Sequence, residues 1–201
     1  MPPSTRFDKI VICSGHMIDA PDRKASRFPA TKAEAVGARI AEHLEEWDVA
    51  EGDLAVCGGA CGADILFAEE CLRRGAHIRL LLTQQVDDFV HDSVQHAGSD
   101  WIRRFHALRK KAEVATLLPK PRGKDASDLS IYERNNLWII DTARREAAES
   151  ARLYALLVWD EKSTGDGPGG TSDFAERVRD LGGVVAIINP TTILSEDGRN
   201  I

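Results

Sequence analysis

Six short apolar runs, separated from one another by stretches of helical periodicity, constrain the fold of this chain more than any other feature. A first strand starts at Asp8 and its apolar run stops at Ser14-Gly15; Leu54–Cys57, His77–Leu82, Val114–Leu118, Leu153–Trp159 and Val184–Ile188 follow. Between them apolar residues recur every three or four positions, which is the period of a helix with one buried face. Strands that alternate with helices are joined by right-handed crossovers and lie parallel, with helices covering both faces. The expectation is an α/β fold, a Rossmann-like three-layer sandwich on a mostly parallel sheet of about six strands. The 201 residues are 43% hydrophobic, enough for one core, so a single domain over 1–201 is expected.

The helical stretches carry their own punctuation. Thr31-Lys32-Ala33-Glu34 has the form of a capping box opening a helix over Lys32–Asp48, with Val36, Ile40, Leu44 and Trp47 on one face. Ser130-Ile131-Tyr132-Glu133 is a second box, opening a long helix whose stripe reads Leu137, Ile140, Ala143 and Ala147. Residues Met17 to Ala30, rich in prolines and charges, are expected to be an exposed loop. The stretch 83–113 is a long helical excursion, read as helices at Val86–Val94 and Asp100–Ala112. Trp101, Phe105 and Leu108 give the second of these an apolar face suited to a homodimer.

Net charge is −6 and the sequence pI about 5.5, which leaves no electrostatic footprint for duplex nucleic acid or an anionic membrane. With no bilayer-length apolar run and no signal-peptide core, a cytoplasmic protein is expected. The four cysteines, Cys13, Cys57, Cys61 and Cys71, then read as reduced thiols in packing positions. Cys57 and Cys61 lack zinc-knuckle spacing, so no metal and no cofactor are expected.

Any anion site must therefore be local. Gly58-Gly59-Ala60-Cys61-Gly62-Ala63-Asp64 joins the second strand to a helix ending at Gly75, and Gly165-Asp166-Gly167-Pro168-Gly169-Gly170-Thr171 precedes the last helix. Glycine lets a backbone take positive φ and admits close approach, and the amides at a helix start suit a phosphate. The first turn is neither a complete G-x-G-x-x-G nor a P-loop. Both turns, Ser14-Gly15-His16 and Asp160 fall at carboxyl ends of strands, where parallel sheets bind ligands.

These residues resemble the SLOG superfamily, which groups the Smf/DprA proteins with the "lonely guy" phosphoribohydrolases. The counterparts are Ser14-Gly15-His16, Gly58–Asp64, Ile131-Tyr132-Glu133-Arg134-Asn135-Asn136 and Pro168-Gly169-Gly170-Thr171. The closer resemblance is to SLOG-like domains of bacterial signalling and defence proteins. It implies a domain that binds or senses a nucleotide or nucleotide derivative. The alternative it implies is a nucleoside 5′-monophosphate phosphoribohydrolase, and a third class is a DprA-like single-strand DNA binder. Counted from the proline, the hydrolases' catalytic glutamate falls on Glu176; counted from the Gly-Thr pair, it falls on Phe174.

Taken together, the expected ligand-binding residues are Ser14, Gly15, His16, Gly58, Gly59, Gly62, Arg134, Asp160, Gly169, Gly170 and Thr171, and on the hydrolase alternative Asp173 or Glu176 is the catalytic carboxylate. Arg134 stands in the first turn of its helix, where the dipole disfavours a cation, and facing a phosphate would explain it as well as a surface ion pair would. Asp160 suits a sugar diol or simply ends its strand. Asp173 and Glu176 also satisfy a D-x-x-E capping box, which accounts for both without chemistry. Asp64 is read as a carboxylate that holds the shape of the glycine turn.

Overall fold

A computed structural model describes residues 6–117, 129–162 and 170–193. Its strands are β1 (Phe7–Gly15), β2 (Leu54–Cys57), β3 (His77–Leu82), β4 (Glu113–Thr116), β5 (Ala147–Val158) and β6 (Val184–Ile188). Between them lie helices α1 (Ala33–Glu46), α2 (Ala63–Arg73), α3 (Val86–Ser93), α4 (Ser99–Arg109), α5 (Ile131–Glu146) and α6 (Thr171–Asp180). The strands form one six-stranded sheet in the order β4-β3-β2-β1-β5-β6, and every pairing is parallel. This is the α/β, Rossmann-like architecture that the alternation of strands and helices predicts.

Side-chain alternation along the strands divides the core in two. Val11, Cys13, Ala55, Cys57, Leu80 and Leu82 face α1, α2 and α4, whereas Ile10, Ile12, Leu54, Val56 and Leu81 face α5 and α6. Strands covered on both faces read as continuous apolar runs, which is why β1, β2 and β3 were visible in the sequence. Phe67 and Phe105 on one side and Phe174 on the other are fully buried, each contributing about 2–3 kcal/mol by removal from water. All four cysteines are buried free thiols. Burial pushes their thiols up, Cys61 to about 12, so they pack as small apolar residues and do not ionise at neutral pH.

Several local expectations are corrected. The Thr31–Glu34 box does not form: Pro29 leads into a 3-10 turn over Ala30–Lys32, so Thr31 lies inside a turn and Lys32 is the N-cap. The Ser130–Glu133 box does form, with Glu133 N–H donating to Ser130 Oγ at 3.2 Å and Ser130 N–H to Glu133 Oε2 at 2.6 Å. Along α5 the buried apolar residues are Ile139, Ile140 and Ala143, and Leu137 is only half-buried. β5 begins directly after α5, six residues before the expected Leu153, because its polar start pairs only along β1. The face of α4 offered for a homodimer is taken up internally: Trp101, Phe105 and Leu108 are 6%, 0% and 2% exposed, packed in the chain's own core.

The 17–30 segment is a structured strap. Asp19 accepts hydrogen bonds from the N–H groups of Arg27 and Phe28, at 2.9 and 3.0 Å, and from Ser26 Oγ at 2.7 Å. Ile18 and Phe28 are buried at its two ends. This clasp fixes Arg27 above the end of β1.

Candidate functional site

The strand order reverses between β1 and β5: the chain winds from β1 out to β4, then crosses back to β5 on the other side of β1. The space beyond the carboxyl ends at such a reversal is left uncovered by the diverging connections. Here it is a cavity of about 360 Å³, within the size range of small-molecule sites. Its floor is Cys13, Ser14 and Gly15 of β1. One wall is the β2–α2 turn and α3, the other is the start of α5, and Gly170 and Thr171 of α6 close one side.

Of the expected binding residues, Ser14, Gly15, His16, Gly58, Gly170 and Thr171 line this cavity. Gly59, Gly62, Arg134 and Asp160 are not among its lining residues, nor are Asp173 and Glu176. Gly169 lies outside the described residues. Asp173 pairs with Arg177 along α6, Nε to Oδ2 2.6 Å, and Glu176 is exposed on that helix. Because Gly170 is the N-cap, Asp173 is the third helical residue, so the expected D-x-x-E box is not the start of α6.

The β2–α2 turn is positioned by its own hydrogen bonds. Ala60 N–H donates to Asp64 Oδ2 at 3.1 Å, Cys61 N–H to the Ser93 carbonyl at 2.9 Å, and Ala63 N–H to the His16 carbonyl at 3.2 Å. These amides, expected to cradle a phosphate, are already engaged inside the chain. The glycines have matching reasons. Gly62, at φ +99°, would carry a Cβ 2.8 Å from the His16 carbonyl oxygen, and a Cβ on Gly58 would stand 2.9 Å from Asp64 Oδ2. Gly59 faces Leu80, Leu82 and Phe105.

Asp64 is the cavity's least expected member. It is 9% exposed, lines the cavity, and burial pushes its carboxyl up to about 7 despite the N–H groups of Ala60 and Gly59. At the β1–β5 reversal His16 Nε2 lies 3.0 Å from Asp160 Oδ1. Burial holds His16 below its ordinary value, aided by the charges of Arg27 and Arg23 and opposed by Asp160, so the ring is neutral at pH 7. Burial raises Asp160, but His16 and then Lys162, 3.6 Å from Oδ2, outweigh it and keep it ionised. Asp160 thus stands behind His16 and orients it. Ser14 Oγ donates to Asn136 Oδ1 at 3.0 Å, tying β1 to α5.

Sequence reasoning missed Arg27, Thr83, Ser93 and Asn135, all of which line the cavity. Two carried a readable signal: Asn135 falls four residues before Ile139 on the buried stripe of α5, and Ser93 four after Phe89 on α3. Arg27 carried none, because the clasp that places it links residues 8 and 9 apart in a polar loop.

No protein-family model matches the chain, and no curated protein matches it. Among solved structures it is similar to that of TM1055, a structural genomics target, at 14% identity over 88% of this chain and 72% of the other, with a TM-score of 0.42. It is also similar to DNA processing protein A (DprA) from Streptococcus pneumoniae, at 16% identity over 90% of this chain and 58% of the other, TM-score 0.39. At these values neither likeness carries a residue role or an activity to this chain.

Proposed function

We propose that the chain binds a nucleotide or nucleotide derivative in the cavity at the β1–β5 reversal, and that its role is that of a sensor or binding module. The observation that carries this reading is the polarity of the cavity. On the β1–β5 side its lining includes the neutral His16, with the Arg27 charge close enough to act on it, and the start of α6 at Gly170-Thr171; on the β2–β3 side it includes Asp64 and Asn135 beside Gly58, Ser93, and Thr83 just after β3. A guanidinium and a helix N-terminus favour an anion, and the Gly170 N-cap puts no side chain on the α6 amides. Among the described lining residues the β2–β3 side carries no cation, and the cavity's two carboxyl groups are Asp64 there and Glu133 at the start of α5, which suits an uncharged, hydrogen-bonding group. A phosphate joined through a sugar to a base has this division of charge, with the sugar lying over Ser14 and Asn136.

The phosphate therefore belongs at Arg27 and α6, displaced from the β2–α2 turn, where the amides of Ala60, Cys61 and Ala63 are engaged. A thermal-shift screen with nucleoside monophosphates, dinucleotides and ADP-ribose derivatives tests this, since a ligand of the folded state raises the melting temperature by mass action. The expected result is a rise for one class, lost in Arg27→Ala and largely kept in Arg134→Ala. No rise with any of them overturns the reading.

One observation favours a second reading, hydrolysis of an N-glycosidic bond. A buried carboxyl with a pKa near 7 in a ligand cavity is poised for general acid–base work. On this reading Asp64 takes the part first assigned to Asp173 or Glu176. Release of free base from nucleoside monophosphates, abolished in Asp64→Asn, is its test.

A further inference from the structure

The inner end of the cavity, its β2–β3 side, contains a set of buried polar atoms that the fold does not satisfy. Among the described residues, Thr83 Oγ1, Ser93 Oγ and Asn135 Oδ1 have no hydrogen-bond partner. Their residues are 5%, 1% and 6% exposed and come from three elements: the end of β3, α3 and α5. A buried polar atom left unpaired costs stability, because it has given up water without gaining a partner. All three residues line one cavity, and their unpaired atoms mark a place where another molecule supplies the missing bonds.

The chemistry of that molecule follows from the donors and acceptors. Asn135 Nδ2 and Asp64 Oδ2 both approach the space above Gly58, at 3.1 and 2.9 Å from where its Cβ would stand. The amide nitrogen thus lies on the Gly58 side, and Oδ1, which has no partner, is left as an acceptor. Asp64 is a second acceptor on the same side. The hydroxyls of Thr83 and Ser93 can donate or accept. Phe89 and Ile139, which also line the cavity, supply apolar surface for the faces of a ring.

We infer that this inner end is a recognition subsite for a neutral planar ring carrying an exocyclic –NH2 group, held by Asn135 Oδ1 with Ser93 and Thr83 completing its hydrogen bonds. A carbonyl in place of the amine sets acceptor against acceptor at Asn135. A carboxylate there meets Asp64. The subsite rests on the nucleotide reading above for its orientation, with the phosphate at the opposite end, but its selectivity is a property of its own residues.

The test compares pairs matched in outline: adenosine with inosine monophosphate, cytidine with uridine monophosphate, and the free bases adenine and hypoxanthine. Affinities are read by calorimetry and thermal shift on the full chain. The amino-bearing member of each pair is expected to bind roughly tenfold tighter or better, the fold-change of one buried hydrogen bond and one unsatisfied acceptor. Asn135→Ala is expected to erase the preference. Ser93→Ala is the companion variant should Asn135→Ala fail to fold. It removes a hydroxyl without a partner, so the free protein keeps its melting temperature while affinity for the preferred member falls several-fold. Equal binding within every pair overturns the subsite and leaves the nucleotide reading standing. Preference for adenine over hypoxanthine, with no binding of any phosphorylated compound, keeps the subsite and overturns the nucleotide reading. Absence of binding by all six overturns both.

Discussion

Gly58 of the β2–α2 turn and Gly170 at the start of α6 line one cavity, and the two helix starts are built differently. At the β2–α2 turn the amides of Ala60, Cys61 and Ala63 are bonded within the chain, and Gly62 at φ +99° packs against the His16 carbonyl and Ile18 amide. At the start of α6, Gly170 sits at φ −68°, a conformation open to any residue, and takes part only as an N-cap without a side chain. The first turn is held by its own hydrogen bonds, whereas Gly170 starts α6 with no side-chain cap. Glycine content alone does not distinguish them. What separates them is the acid four residues after Ala60, which folds back onto the turn and takes the place an anion would fill.

The largest expected effect breaks the comparison at its structural side. Gly62→Ala puts a methyl group 2.8 Å from two backbone atoms in a conformation closed to L residues. A loss of about 3 kcal/mol or more in denaturant unfolding is expected. Gly170→Ala is its counterpart and is expected to change stability by less than about 0.5 kcal/mol.

An intermediate effect comes from Asp64. The folded protein keeps this proton to about pH 7, whereas the unfolded chain releases it near 3.8, so this group makes stability fall as pH rises between the two. His16 acts in the opposite sense, its lowered pKa costing stability as pH falls below 6.5. Asp64→Asn removes the first contribution and keeps an acceptor for Ala60 N–H. Unfolding measured from pH 4 to 8 should show the variant gaining on the wild type as pH rises, on the order of a few kcal/mol in all. A constant difference across that range would mean that Asp64 is ionised throughout.

The sequence made most of the frame legible, because the strands buried on both faces announce themselves as apolar runs and their order follows from parallel crossovers. It also placed Ser14, His16, Gly58, Gly170 and Thr171 on one edge. It did not reveal which amides were already bonded, since that depends on Asp64 and Ser93 meeting the turn in space. Nor did it reveal Arg27, held by a clasp from Asp19 inside a stretch that reads as plain loop. Asn135 was the missed signal: an amide on a buried stripe has a partner to find.

The smallest effects concern the residues first read as catalytic. Asp173→Ala removes an ion pair with a half-exposed arginine, worth about 0.3–0.5 kcal/mol. Glu176→Ala, on the exposed face of α6, should leave stability unchanged within about 0.5 kcal/mol. Neither should alter ligand affinity more than about twofold by calorimetry, as neither lines the cavity.

The difference between the two turns is measured most directly by backbone amide NMR during titration with adenosine 5′-monophosphate. The largest shifts are expected at Thr171, Ser172 and Asp173 and at the Arg27 side chain, with Ala60, Cys61 and Ala63 nearly unmoved. Largest shifts at Ala60–Ala63, with α6 silent, would place the anion at the turn described here as closed and contradict the account.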